Sequence, residues 1–410
     1  MTTDPARTPN RRRFLAGAGA LAAGAVLAPA GAFAAPSQSD LVIRELTTYR
    51  LKDGLFVKLT TDSGVSGWGE CERGVDTVVE RMVLDYGSKF VLGADPFQST
   101  PALYDFFYRE HDALGGVLAG AIAGLDIAMW DLKGRLLDVP IWRLLGGRYR
   151  ERVRVYGSFG VNRWTKMSPA EAGRTAAKLA GRGMQTVKCR MQVRESHLDP
   201  YDDRTVEYAA ALRKALPRDV GMFVDINNGY SAKRAIQVGL ELHERFGMKY
   251  YEEPCSDQNH VHTRKVVEAL PLAVIAGEKE YTPFQLQELI THADPDYINP
   301  DVIKHMGITG MQKAGVLSQV NQKPITLHNT RPTVSTAASL HLAASYTTLG
   351  PFMEYPDEDR FPRLLEIMAE PLARDGNMMA VPDGPGLGIE MREDAVRDQA
   401  RHVQTLRFEG

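Results

Sequence analysis

Three acidic residues of this chain each close a short apolar run: Asp225 in "GMFVD", Glu252 in "KYYE" and Glu278 in "AVIAGE". The separation is 27 residues from 225 to 252 and 26 from 252 to 278. The step then continues through Asp301, His328 and Glu354, at intervals of 23, 27 and 26. Carboxylates gathered at the ends of neighbouring strands cannot all ionise without positive charge between them. Two partners would satisfy the first three. One is a cation; an all-oxygen ligand set selects a hard ion, Mg²⁺ first and Mn²⁺ second. The other is a set of arginines and lysines from the same strands.

The elements that must position these residues repeat from about residue 150. Apolar runs such as "VRVYGSFG", "MQTVKCR", "PITLHN" and "GPFMEYP" alternate with helical patterns that open on Ser or Asp and end on Gly, as helix caps require. Eight such strands in succession predict a closed (β/α)-type barrel over 150–377, whose C-terminal lip is where active sites are built. Residues 41–148 differ. "LVIRELTTYRL" and "GLFVKLTTDSGVSGWGE" read as a meander, followed by helical stretches through "GAIAGLDIAMWDLKGRLLDVPIWRLLGG". This predicts an α+β capping domain, with the tail at 378–410 returning to it. The first cap turn, Lys52-Asp53-Gly54, leaves no room for a long lid, so residues 70–77 must carry more of the enclosure.

The chain has 410 residues, 44% hydrophobic and 24% charged, with a formal net charge of −2, which gives no footprint for nucleic acid. Three widely spaced cysteines exclude a disulfide framework and any CxxC site. At the N-terminus Arg11, Arg12 and Arg13 precede "FL", a Gly/Ala-rich apolar stretch and Ala32-Phe33-Ala34. Charged, apolar and A-x-A regions in that order predict a cleaved signal over 1–34, of the twin-arginine type that exports folded proteins. The expected location is periplasmic or secreted, with no stable membrane insertion after cleavage.

The mature chain resembles the mandelate racemase and acid-sugar dehydratase branch of the enolase superfamily. The resemblance rests on "DSGVSGWGE", "AGLDIAMWDLKGRLLDVPIWRLLGG", "VDINNG", "YEEP", "AGEK", "NPDVIKHMGITG", "LHN" and "PDGPGLGIE", in that order. It implies a (β/α)7β modified TIM barrel with an N-terminal α+β capping domain. It implies Mg²⁺ held by Asp225, Glu252 and Glu278, and a small carboxylate substrate whose α-proton is removed through an enediolate. It also implies a homo-oligomer.

Removal of an α-proton needs a positioned base. His328 ends strand seven and Asp301 ends strand six, so Asp301 can fix one ring nitrogen and raise the basicity of the other. In "VKCR", Lys188 and Arg190 face the same way. The family often carries Lys-x-Lys here; Arg190 departs from it and is a poor base. That departure favours one-face chemistry, with Lys188 as base or electrostatic partner. Glu354 resembles the strand-eight acid that, if protonated, donates to the enediolate. Asn227, Tyr281 and Arg331 are candidate substrate contacts, and Glu253 must point away from Glu252. His260 and His262 read as surface residues of a loop. The leading expectation is dehydration of a sugar acid to a 2-keto-3-deoxy acid. The alternatives are a racemase, epimerase or cycloisomerase and, in another class, a periplasmic metal-dependent sugar-acid binding protein.

Overall fold

Hydrophobic strands with period-two alternation and helices with apolar faces sort this chain into two sheets. A computed structural model describes residues 41–410, apart from 73, 111, 113–114, 162–166 and 192–196. The leader expected at 1–34 lies outside the described residues.

The first sheet begins with β1 (Ile43–Arg50), β2 (Leu55–Thr61) and β3 (Ser66–Cys71), paired antiparallel. The β1–β2 turn is tight, with the Leu51 amide donating to the Gly54 carbonyl at 2.8 Å. The helix Gly116–Leu136 lies on this sheet and is buried over most of its length. Its close approach needs glycine. A Cβ built on Gly69 would stand 1.9 Å from the Gly124 carbonyl oxygen, which is backbone and cannot move aside. We therefore expect Gly69→Ala to destabilise the cap by about 3 kcal/mol or more, as overpacking against rigid backbone does. A melting temperature equal to the parent's would refute that account of the packing.

The second sheet carries β4 (Arg152–Gly160), β5 (Thr186–Arg190), β6 (Gly221–Asp225), β7 (Tyr250–Glu252), β8 (Ala273–Ala276) and β9 (Tyr297–Ile298), all parallel in that order. The seventh staff is the segment 325–328, bridged to Ile298 and Asp301. It meets the eighth strand, β10 (Met353–Pro356), through the Glu354 amide on the Leu327 carbonyl at 3.0 Å. β10 then pairs with β4 and completes the ring. Seven long helices connect the eight staves, so the fold is the (β/α)7β barrel. Their ends follow the sequence signals. Ser168 and Glu171 form a capping box at Pro169–Gly181, and Gly247 ends Ala232–Phe246 at φ 67°.

Alternation layers the barrel interior. Phe223 lies two residues before Asp225, Tyr250 two before Glu252, and Phe352 two before Glu354. The earlier residue of each pair joins Tyr156 and Ile275 in an apolar plug, with Phe223 stacked on Phe352 at 6.0 Å. The later residues form the charged layer above it. The plug is the dry floor of the site.

β11 (Arg374–Asp375) and β12 (Met378–Ala380) follow β10, and β12 pairs antiparallel with the start of β4. The segment from 378 therefore first extends the barrel's sheet. The return to the cap comes later, as β13 (His402–Arg407) pairs with β1. The placement follows from backbone pairing: the start of β4 offers an edge beyond the parallel ring, which β12 fills. Buried cap acids dock the two layers. Asp126 accepts from the Thr309 amide at 2.8 Å, and Glu70 accepts from the Ser335 amide at 2.9 Å, each near the N-terminus of a barrel helix. Asp131 binds the Trp68 and Leu387 amides at 2.9 and 2.8 Å.

Candidate active site

The charged layer brings Asp225, Glu252 and Glu278 together, all buried, with one ligand oxygen from each within 4.8 Å of the others. β6 and β7 set Asp225 beside Glu252 in register, and Glu278 follows the end of β8. Each acid uses one oxygen inside the protein and leaves the other without a hydrogen bond: Asp225 Oδ2, Glu252 Oε2 and Glu278 Oε2. Glu278 Oε2 has the His328 ring 2.6 Å away and Asp225 Oδ2 has Lys188 at 3.9 Å, but buried carboxylate oxygens without hydrogen bonds remain costly unless a cation meets them. The donor set is all oxygen and suits Mg²⁺.

Lysine pairing occurs as well. Lys188, 1% exposed, places its ammonium 2.6 Å from Glu252, 2.9 Å from Glu354 and 3.9 Å from Asp225. Burial alone would lower its pKa, but the carboxylates of Glu252 and Glu354 outweigh that and hold it well above the ordinary value. Burial pushes Asp225 and Glu252 up, with Lys188 opposing in both cases. Glu278 goes the other way: burial would raise it, but His328 and Lys304 hold it well below the carboxylate range.

His328 and Asp301 form the expected pair, Nδ1 to Oδ2 at 2.6 Å, on bridged neighbouring segments. Asp301 is itself held by the Ile303 amide at 3.0 Å. His328 Nε2 faces the charged layer, 2.6 Å from Glu278 Oε2 and 3.6 Å from Glu354 Oε2, with neither aligned as a hydrogen bond. Burial would depress this imidazole, but the charge of Glu278 raises it to about 10, assisted by Glu354 and Asp301.

Glu354 accepts from the Lys188 ammonium and from the Asn329 amide at 3.2 Å. Burial would raise its pKa, yet Lys188 and His328 hold it below the ordinary value. In the free site it is an acceptor of these hydrogen bonds. Arg190 is half-buried, registers with Asp225, and leaves its Nε buried without a partner.

Asn227, expected to touch substrate, touches the acids. Its amide donates to Asp225 Oδ1 at 2.7 Å and its Nδ2 to Glu278 Oε1 at 3.3 Å. It holds φ at 56° and Asn228 at 68°, a left-handed turn that Asn tolerates. Tyr281 packs half-buried against Gly116 of the cap. Arg331 is buried beside Glu70, 3.8 Å away. His260 and His262 are not loop surface: they open the helix His260–Ala269 and are both half-buried. The polar run before them ends in a turn at Asn259 that starts this helix.

Two charged groups were not foreseen. Lys304, in the turn after β9, lies 3.7 Å from Glu278. Glu72, half-buried in the cap loop, feels Lys304, Asp301, Arg331 and His328. Glu253, at φ 44°, turns away from the triad as strand alternation predicts. It accepts from the Gly277 and Glu278 amides at 2.8 and 3.2 Å and from Asn228 at 2.5 Å. It thereby fixes the backbone that carries Glu278. Removing such a support costs metal sites about 10- to 100-fold in affinity. Glu253→Ala should weaken Mg²⁺ binding by that factor in calorimetry; unchanged affinity would leave Glu253 with a packing role alone.

An eight-staved barrel with an acidic triad, a His–Asp pair at its lip and a cap built from both chain ends defines an enzyme of the enolase superfamily. The chain belongs to its mandelate racemase/muconate lactonizing enzyme branch. Residues 171–395 match the family described as enolase C-terminal domain-like, and residues 37–146 match the mandelate racemase/muconate lactonizing enzyme N-terminal domain. Among similar proteins are D-galactarolactone cycloisomerase of Agrobacterium fabrum, 30% identical over 84% of this chain and 90% of the relative, and D-galactonate dehydratase of Klebsiella pneumoniae, 30% identical over 89% and 96%. A mandelate racemase/muconate lactonizing protein from Paracoccus denitrificans, solved in complex with magnesium, superposes with a TM-score of 0.80 at 29% identity, covering 90% of this chain and 98% of that one. The chain is thus a member of an enzyme family, and its buried triad of Asp225, Glu252 and Glu278 is a carboxylate set that fits a hard cation such as Mg²⁺.

Proposed function

We propose that the enzyme removes the proton α to the carboxylate of a sugar acid and expels the β-hydroxyl as water, leaving a 2-keto-3-deoxy acid. The observation that carries this reading is the 2.6 Å pairing of His328 Nδ1 with Asp301, which leaves Nε2 facing the acids; it stands 2.6 Å from Glu278, and a metal that took that carboxylate's charge would free Nε2 to act as the base. When bound by Asp225, Glu252 and Glu278, Mg²⁺ supplies the positive charge that holds the substrate carboxylate and stabilises negative charge developing beside the α-carbon.

The protein's own residues do the rest. Nε2 takes the α-proton, and Asp301 stabilises the imidazolium and keeps its orientation. The β-carbon–oxygen bond then breaks as His328 returns that proton to the departing hydroxyl. The resulting enol becomes the ketone by proton transfer to carbon, so the products are one water and one keto acid. Lys188 is fastened to Glu252 and Glu354, and a guanidinium such as that of Arg190 is a poor base, so neither serves as a base for the opposite face. This counts against racemisation. A binding protein without turnover would have no use for the His328–Asp301 pair.

Cycloisomerisation is the second reading, supported by the similarity to the Agrobacterium relative. It begins with loss of the same α-proton and departs only in the group expelled. We also infer export through residues 1–34, on the strength of the arginines and the A-x-A site.

Proton NMR in D₂O with Mg²⁺, over aldonates, aldarates and their lactones, separates these readings. Loss of the α-proton signal with a keto-deoxy product from an open acid supports dehydration. The same product formed only from a lactone supports cycloisomerisation. An epimer as product, or no exchange with any acid sugar, overturns the proposal.

A further inference from the structure

Beyond the acidic triad, the barrel mouth holds three arginines that the chemistry above leaves unused as a group; Arg190 is the one nearest the triad, in register with Asp225. Arg190 ends β5, Arg331 follows the seventh staff and Arg360 follows β10. The triad sits on β6, on β7 and just past β8, so the arginines and the acids occupy different arcs of the ring. The three arginines are neighbours through shared contacts. Arg331 and Arg360 lie over the same Phe361 ring, 5.4 and 5.8 Å from its centroid. Arg190 and Arg360 flank Gly160, at the end of β4: a Cβ there would stand 3.6 Å from Arg190 Cβ and 3.8 Å from Arg360 Nη1.

Their partners do not account for the cluster. Among the described residues neither Arg190 nor Arg360 has a carboxylate within 4 Å, and Arg190 Nε is buried without a hydrogen bond. The acids that act on Arg360 are Asp357 and Asp53. Asp357 shares its charge with Lys178, 2.7 Å from Oδ2, and Asp53 belongs to the cap turn. Arg331 is ion-paired with Glu70 at 3.8 Å without a hydrogen bond between them, and donates to the Thr330 carbonyl at 2.8 Å. Like charges placed this close repel, and Arg360 is held below its ordinary pKa by burial first and then by Arg190. Such an arrangement is made stable by an anion; the guanidinium fork suits a carboxylate in both geometry and charge.

We propose that Arg190, Arg331 and Arg360 bind a second carboxylate at the far end of the substrate, so that the enzyme acts on dicarboxylic sugar acids in preference to monoacids. The substrate then spans the mouth, with one carboxylate at the triad and the other at the arginines. This rests on the acid-sugar reading and narrows it.

Binding is measured by calorimetry in the His328→Asn protein loaded with Mg²⁺, so that turnover does not intrude. The probes are matched in configuration: galactarate against galactonate, and glucarate against gluconate. The preferred diacid should bind at least about 30-fold more tightly than its monoacid, the scale of a charge-assisted contact. Arg360→Gln should weaken diacid binding about 10- to 100-fold and leave the monoacid unchanged; Arg360→Lys should recover part of the loss. In the otherwise intact enzyme, Arg360→Gln should raise KM for the diacid while kcat stays within a few-fold. Equal affinity for the two acids, or an equal effect of Arg360→Gln on both, overturns the inference while the acid-sugar reading survives. Tighter binding of 6-phosphogluconate than of either diacid also overturns it, in favour of a phosphate. Failure of every acid to bind the Mg²⁺-loaded protein overturns the inference and the reading beneath it together.

Discussion

His328→Asn should reduce α-proton exchange by about three orders of magnitude or more while Mg²⁺ affinity stays within a few-fold of the parent. The side-chain amide of Asn has no basic nitrogen, so no group at that position can take the proton. General bases contribute about 10²–10⁴ in rate, and here the abstraction is the step on which every later one depends. The substitution removes no triad ligand, since Asp225, Glu252 and Glu278 come from other staves of the barrel; it takes away only the imidazole that stands 2.6 Å from Glu278. Asp301→Asn tests the orientation of the ring separately. It keeps a polar group 2.6 Å from Nδ1 but removes the charge that stabilises the imidazolium, so exchange falls and the ring tautomer changes. Proton NMR in D₂O reads the exchange and calorimetry reads the metal. Exchange at the parent rate in His328→Asn would remove His328 from the mechanism, and lost Mg²⁺ binding would make its role that of holding the triad.

The site was legible where one residue closes one strand. Asp225, Glu252, Glu278, Asp301, His328 and Glu354 each mark the end of a staff, and a barrel has only one lip at which such ends can meet. Alternation also separated Glu252 from Glu253, because successive side chains in a strand leave on opposite faces. What lay outside that regularity was lost. Lys304 comes from a turn three residues past Asp301, and Glu72 from a cap loop more than 200 residues away from the staves it faces. Arg360 follows β10 in a short helical turn whose composition reads as solvated surface. No local pattern carries such contacts; they exist only once the cap has docked and the ring has closed. The ion pair of Glu354 was not foreseen, for the same reason. Its partner Lys188 lies 166 residues earlier in the chain (354 − 188), and only barrel closure through β10 and β4 brings the two to 2.9 Å.

Lys188 carries the second large effect, and its logic is charge balance. It is the fully buried ammonium among Asp225, Glu252 and Glu354, above a plug in which Tyr156 lies 5.6 Å from it. In Lys188→Met the side chain retains similar bulk, but Glu252 and Glu354 lose their counter-charge. Removing one partner of a buried ion pair costs about 3–5 kcal/mol. The metal-free protein should therefore melt well below the parent in EDTA, and added Mg²⁺ should restore part of the difference by binding the folded state alone. The pH dependence has a definite sign. Burial already raises Glu252 well above its ordinary pKa with Lys188 opposing, so loss of Lys188 raises it further. An acid whose folded pKa lies above its unfolded value gives its stability below the unfolded pKa and forfeits it as pH rises through the folded one. The melting deficit of Lys188→Met should consequently be small near pH 4 and widen towards neutrality. A deficit independent of pH would mean that lost packing, not unbalanced charge, is what the substitution removes.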